Sequence, residues 1–106
     1  MTKPRPRITH ELKSWPEFFQ PTLNAHKRFE LRKDDRPEGF RVGDELLLRE
    51  WDPEKVPGAG EGNVLGYTGR EVLVRVDYIM TAKDTTWFGK ENPIYGHVIM
   101  SISRVH

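Results

Sequence analysis

Residues 71–80, Glu71-Val72-Leu73-Val74-Arg75-Val76-Asp77-Tyr78-Ile79-Met80, alternate in side-chain character with a period of two. That period belongs to a strand with two distinct faces. Val72, Val74, Val76 and Tyr78 form one face, and Leu73 and Ile79 share the other with Glu71, Arg75 and Asp77. Downstream, His97 to Val105 repeats the pattern, with Val98, Met100 and Ile102 on one side. Upstream, Glu45 to Trp51 places Leu46 and Leu48 on one face and Leu47, Arg49 and Trp51 on the other. Leucine on both faces predicts a central strand, or one wrapped in a barrel. Phe40-Arg41-Val42-Gly43-Asp44 turns into it.

Two more strands and a helix precede these. Ile8 to Lys13 alternates, with Ile8, His10 and Leu12 on one face. Ser14 followed by Glu17 has the spacing of a capping box, and Pro16 is tolerated in a first turn, so a helix is predicted from about Trp15 carrying Phe18, Phe19 and Leu23. Pro21 lacks an N–H and clashes one turn back, which predicts a kink or two short helices ending near Asn24 to His26. Phe29 to Lys33 reads as a strand and Asp34 to Gly39 as a polar connection. The whole is α+β, mainly β: a small β-barrel of five to six strands with one or two short N-terminal helices. Residues 1–7 form a flexible basic leader, and 8–106 a single domain.

Two connections are long. Asp52 to Arg70 holds five glycines and two prolines. Its Gly58-Ala59-Gly60-Glu61-Gly62 run lacks a following Gly-Lys-Ser/Thr and a helix start, so it is not read as a phosphate loop. Thr81 to Gly96 carries Trp87, Phe88 and Tyr95.

The chain has 106 residues, 36% hydrophobic and 31% charged, the balance of one soluble domain with one modest core. No apolar run approaches the ~20 residues a membrane helix requires, so no membrane role is expected. The absence of cysteine excludes disulfide and thiolate chemistry. With no apolar secretion signal at the N-terminus, a cytoplasmic location is expected. Seventeen basic and 16 acidic residues leave a net charge of +1, so any attraction to nucleic acid has to be local rather than bulk. The four histidines lack the i, i+4 spacing of a zinc site. No metal and no cofactor is expected, and His10 reads as a hydrogen-bonded, half-core residue. No Gly-x-Ser-x-Gly elbow occurs.

The chemistry concentrates in Lys27-Arg28-Phe29-Glu30-Leu31-Arg32. As a strand, it points Phe29 and Leu31 one way and Arg28, Glu30 and Arg32 the other. A cation–anion–cation face is either a solvated ion network or a device holding two guanidinium groups ready for a planar or anionic ligand. Trp15, Trp51, Tyr67, Trp87 and Tyr95, near element ends and basic residues, suit either barrel closure or base stacking.

Leu12-Lys13, Phe18-Phe19, Leu23, Lys27, Glu30, Arg32 and Val42-Gly43-Asp44 together resemble the ASCH family, within the PUA-like superfamily of small β-barrels. Its usual pattern is a glycine, then Lys-x-x-Glu-x-Arg, then Gly-Asp opening the next strand. His10-Glu11-Leu12-Lys13, Phe29 to Lys33 with Asp35-Arg36, Tyr67-Thr68-Gly69-Arg70 and Gly96-x-Val98-x-Met100-Ser101-Ile102 resemble, more closely, a small uncharacterised bacterial and phage family related to ASCH. The resemblance covers about Ile8 to Arg104. It implies an RNA- or nucleotide-binding module with a cationic cleft between helix and barrel.

In that reading Lys13, Lys27, Glu30 and Arg32 line the cleft, Trp15 or Tyr67 stacks, and Arg36 and Arg70 contact phosphate. Some ASCH members are enzymes, either amidohydrolases on acylated cytidine or ribonucleases. The alternative is therefore a small hydrolase acting on a modified nucleoside or RNA, with Lys27 as base or nucleophile and Glu30 as its proton partner. The amidohydrolase branch has threonine where this chain has Glu30, and the usual glycine before the lysine is replaced by Ala25-His26, with Asn24 the expected left-handed residue. A third reading is a protein-interaction domain, a phage factor acting on a host component through Trp87-Phe88. A monomer is expected.

Overall fold

The computed structural model describes residues 6–54, 66–81 and 96–105. The chain runs β1 (Thr9–Ser14), α1 (Pro16–Leu23), β2 (Phe29–Lys33), β3 (Glu45–Trp51), β4 (Tyr67–Thr81) and β5 (His97–Arg104). The strands form one sheet in the order β1-β3-β4-β5-β2. β1 is parallel to β3 and the other pairs are antiparallel. This is the mainly β architecture with one short N-terminal helix that the sequence predicts, curled into a half-barrel with β1 and β2 at its edges.

One face of the sheet is the core. Leu12, Leu46, Leu48, Val72, Val74, Val76, Val98, Met100 and Ile102 are buried there. Phe19 from α1 is fully buried among them, and burying such a side chain stabilises by about 1.5–3 kcal/mol. β3 carries Leu46 and Leu48 inward and is an interior strand, paired with β1 and β4, as its two-faced leucine pattern predicts.

β4 differs from expectation in two ways. It begins at Tyr67, because Tyr67 pairs with Trp51 beyond a register shift in β3. Gly66 makes this entry possible: its φ is +90°, and a Cβ there would lie 2.5 Å from the Asp52 carbonyl oxygen. A second register shift between Val76 and Tyr78 reverses the alternation. Tyr78 does not share the face of Val72 to Val76: it is 64% exposed, and Ile79 packs against the core instead.

The helix start also differs. Trp15, not Ser14, is the N-cap, and no side chain caps the helix. Ser14 belongs to β1, where alternation with His10 and Leu12 drives its side chain inward, out of reach of the first turn. α1 is a single helix with Pro21 inside its last turn. Asn24 keeps a negative φ, and Ala25, at φ +62°, is the left-handed residue after the helix.

Asp44 pins β1 to the turn before β3. Its carboxylate accepts from the backbone N–H of Ile8 at 3.2 Å, that of Arg41 at 3.0 Å, and His10 Nε2 at 2.9 Å. His10 is thus a buried, hydrogen-bonded core residue. Residues 1–5, the Gly58–Gly62 run, and Trp87, Phe88 and Tyr95 lie outside the described residues.

Candidate ligand-binding site

β2 is inverted relative to the usual burial of apolar faces. Its pairing sets Glu30 opposite Met100 and Arg32 opposite Val98, both core-facing positions of β5. Glu30 is 3% exposed, while Phe29 and Leu31 are 52% and 46% exposed. A solvated charged face is therefore ruled out for Glu30: register against β5 turns that face inward, and a register shift by one residue would be needed to turn it out.

The buried carboxylate organises two cations. Glu30 Oε2 accepts from Lys27 Nζ. Glu30 Oε1 accepts from Arg32 Nε at 3.0 Å and Nη2 at 2.8 Å, and Arg32 Nη2 also donates to the Lys13 carbonyl at 2.8 Å. Lys27 reaches Glu30 because the left-handed Ala25 turns the chain back after α1. Lys27 Nζ also donates to the Phe29 carbonyl at 2.6 Å and lies 5.0 Å from the Phe29 ring centre. Each member thus has defined partners, which fixes Lys27 and Arg32 in place.

Beside this cluster opens a cleft of about 890 Å³ between α1, the end of β1 and edge strand β2. That volume suits a small ligand. Trp15, Phe18, Phe29, Leu31 and Pro21 supply its apolar wall, and Ser14, Lys27, Glu30 and Arg32 its polar side. Trp15 packs on Trp51, ring centres 6.0 Å apart, and is 46% exposed. Ser14 Oγ is buried with no hydrogen-bond partner among the described residues.

Lys13 contributes its backbone to the cluster but sends its ammonium elsewhere, 4.7 Å from the Trp51 ring centre and 6.0 Å from that of Tyr67. Tyr67 and Arg36 line a second recess with Lys13, Arg32 and Arg49. Of the eight residues predicted for the ligand, Lys13, Trp15, Lys27, Glu30 and Arg32 meet at the cleft, and Arg36 and Tyr67 lie in the recess.

Arg70 is in neither. It donates to the buried Glu50 from Nε at 2.9 Å and Nη2 at 3.1 Å, and to Gln20 Oε1 at 2.8 Å. It also lies over Phe19, 5.0 Å from the ring centre, so it ties β3 and β4 to α1. Hydrogen bonding to Glu50, only partly offset by desolvation, raises its pKa above the usual arginine value.

Phe18, Phe29 and Leu31 were not legible as cleft residues, because apolar residues at strand and helix spacing read as core. The signal present was their surplus: both faces of Phe29 to Lys33 cannot be buried in an edge strand. No helix among the described residues is long and apolar enough to cross a membrane.

Fold and cleft together define a small half-barrel domain with a ligand-sized cavity between its helix and an edge strand. The chain belongs to the DUF3850 family, described as a domain of unknown function, whose model matches residues 9–102. It is similar to an uncharacterised 12.9 kDa protein in the GpA 3′ region of Escherichia phage P2, with 35% identity over 75 residues. That match spans 71% of this chain and 57% of the phage protein.

Proposed function

We propose that the domain is an ASCH-related member of the PUA-like superfamily and binds a nucleobase-containing ligand, a nucleoside, a nucleotide or an unpaired base of RNA, between α1 and β2. The observation that carries this is the inverted β2. A buried Glu30 holds Lys27 and Arg32 at the edge of an open cleft walled by Trp15, Phe18 and Phe29. Aromatic walls stack on planar bases for about 1–3 kcal/mol per base. The ammonium of Lys27 and the guanidinium of Arg32, 15% and 26% exposed, offer donors to the carbonyl oxygens and ring nitrogens of a base edge. Glu30, nearly inaccessible, acts through them as a positioning residue.

The test is calorimetric titration of the protein with the common ribonucleosides and with short single-stranded RNA at low salt. Binding by at least one, weakened in Trp15→Ala, supports the reading. Absence of heat and of competition across the whole set removes it.

A second reading, a small hydrolase acting on a modified nucleoside or RNA, is supported by the Lys27–Glu30 contact, which sets an amine beside a carboxylate able to exchange a proton with it. Chromatography of acylated cytidine, and of RNA, after incubation with the protein decides it. Product that disappears in Lys27→Met supports turnover, and unchanged substrate at high protein concentration leaves binding alone.

A further inference from the structure

We propose that the second recess is a phosphate subsite, so that the preferred ligand carries a phosphoryl group next to its base. This rests on the reading of the cleft as a nucleobase site. The recess encloses about 380 Å³ and shares Lys13 and Arg32 with the cleft. Arg32 is the partition: it faces the cleft beside Glu30 and reaches the Lys13 carbonyl across the gap between β2 and β1.

The charges in the recess do not balance. Among the described residues Lys13, Arg32, Arg36 and Arg49 line it, against the single carboxylate of Glu11. Arg32 is matched by Glu30, and Arg49 by Glu11 at 2.8 Å with Glu71 at 3.7 Å. Lys13 and Arg36 have no carboxylate partner among the described residues. Among the described residues the Lys13 ammonium meets only the Trp51 and Tyr67 rings, and Arg36 meets the Glu11 carbonyl at 3.3 Å and the Phe40 ring at 5.7 Å. Two unmatched cations converging on one concavity repel each other unless an anion joins them. A phosphoryl group has the charge and the oxygens to accept from a guanidinium fork and an ammonium together. Continuity with the cleft through Arg32 makes that group part of the bound ligand, as a phosphomonoester or as a diester of RNA.

The experiment is an NMR titration of the ¹⁵N-labelled full chain. The probes are the ribonucleosides, their 5′- and 3′-monophosphates, dinucleoside monophosphates and inorganic phosphate. The Trp15 indole N–H reports the cleft and the Arg36 Nε–H the recess. For the base that binds, a monophosphate is expected to bind about 10-fold more tightly than its nucleoside, the scale of one added charge-assisted contact, and to shift both reporters. In Arg36→Ala, and separately in Lys13→Met, the ratio of the two affinities falls towards one. A dinucleoside monophosphate matching the gain points to a diester, and a gain confined to the monophosphates to a free nucleotide. Equal affinities with only Trp15 shifting overturn the subsite and leave the cleft reading standing. Phosphate that moves Arg36 while no base moves Trp15 overturns the nucleotide assignment along with the cleft reading. No shift at either reporter overturns both.

Discussion

Arg32 Nη2 donates at 2.8 Å to the backbone carbonyl of Lys13, joining β2 to β1 where the sheet itself does not. Arg36 repeats the device two residues back along β1, donating to the Glu11 carbonyl at 3.3 Å. Carbonyls two apart on a strand point the same way, so both guanidinium groups cover one open edge of β1. Unpaired edges invite aggregation, and covering them is one remedy. Here the cover doubles as the wall between cleft and recess.

Arg32→Ala is therefore expected to do more than weaken a ligand contact. It removes charge-assisted bonds to Glu30 and Lys13, the one to Lys13 exposed and worth little, those to Glu30 together worth about 1.5–3 kcal/mol. A loss of about 2 kcal/mol should appear in the urea midpoint, with unchanged slope. Arg36→Ala, which loses one longer and exposed bond, should cost less than about 0.5 kcal/mol. Equal costs for the two would contradict the partition assigned to Arg32.

Glu30→Met should be the most damaging substitution in the cleft. It strands Lys27 and Arg32 without their carboxylate, and breaking a buried pair by removing one partner costs about 3–5 kcal/mol. Lys27→Met combined with Glu30→Met removes the stranded ammonium. In a double-mutant cycle the pair should cost less than the sum of the singles by at least about 1 kcal/mol. Additive costs would mean that the two groups do not act together.

Ala25→Gly should stabilise the protein. Ala25 occupies φ +62°, a conformation that costs a residue with a Cβ about 1–2 kcal/mol and glycine little. After subtracting the extra freedom of glycine in the unfolded chain, a gain of about 0.5–1 kcal/mol is expected by thermal and urea unfolding. Glycine adopts the same φ, so Lys27 keeps its place beside Glu30 and ligand binding should survive the change. A loss of stability would show that the turn is held differently in solution.

The Arg70–Glu50 pair has a defined pH response. The pKa of Arg70 is raised in the folded state, so its stabilisation is fully present below the unfolded value and fades only as the pH rises through the folded one, in strongly alkaline solution. The gap in urea midpoint between the wild type and Arg70→Gln should be the same at about pH 6 and about pH 9. A gap that closes by pH 9 would assign the stabilisation to some other group.

Much of the fold was legible because strand periodicity is local. Phe29 to Lys33 and Glu45 to Trp51 match β2 and β3 residue for residue. Errors fell where local pattern met a longer-range constraint. The Ser14-x-x-Glu17 spacing satisfies a capping box, yet the alternation of β1 claims Ser14 first and leaves its hydroxyl buried without a partner among the described residues. Tyr78 continues the valine face in sequence, but a shift in pairing with β5 turns it out. Arg70 read as a loop cation, although the β3–β4 pairing carries it to Glu50, a residue with no local mark of interest.

Local pattern marks out most of the strand segments, names the chemical groups available, and places Lys27, Glu30 and Arg32 within one turn and strand of each other. Backbone geometry sets all three within a few residues. That β2 turns its charges inward, that Arg32 spans to β1 and that Arg70 pairs with Glu50 away from the cleft emerge from the assembled sheet. Those outcomes depend on how strands about 20 to 70 residues apart in the chain come together, and no local period carries that information.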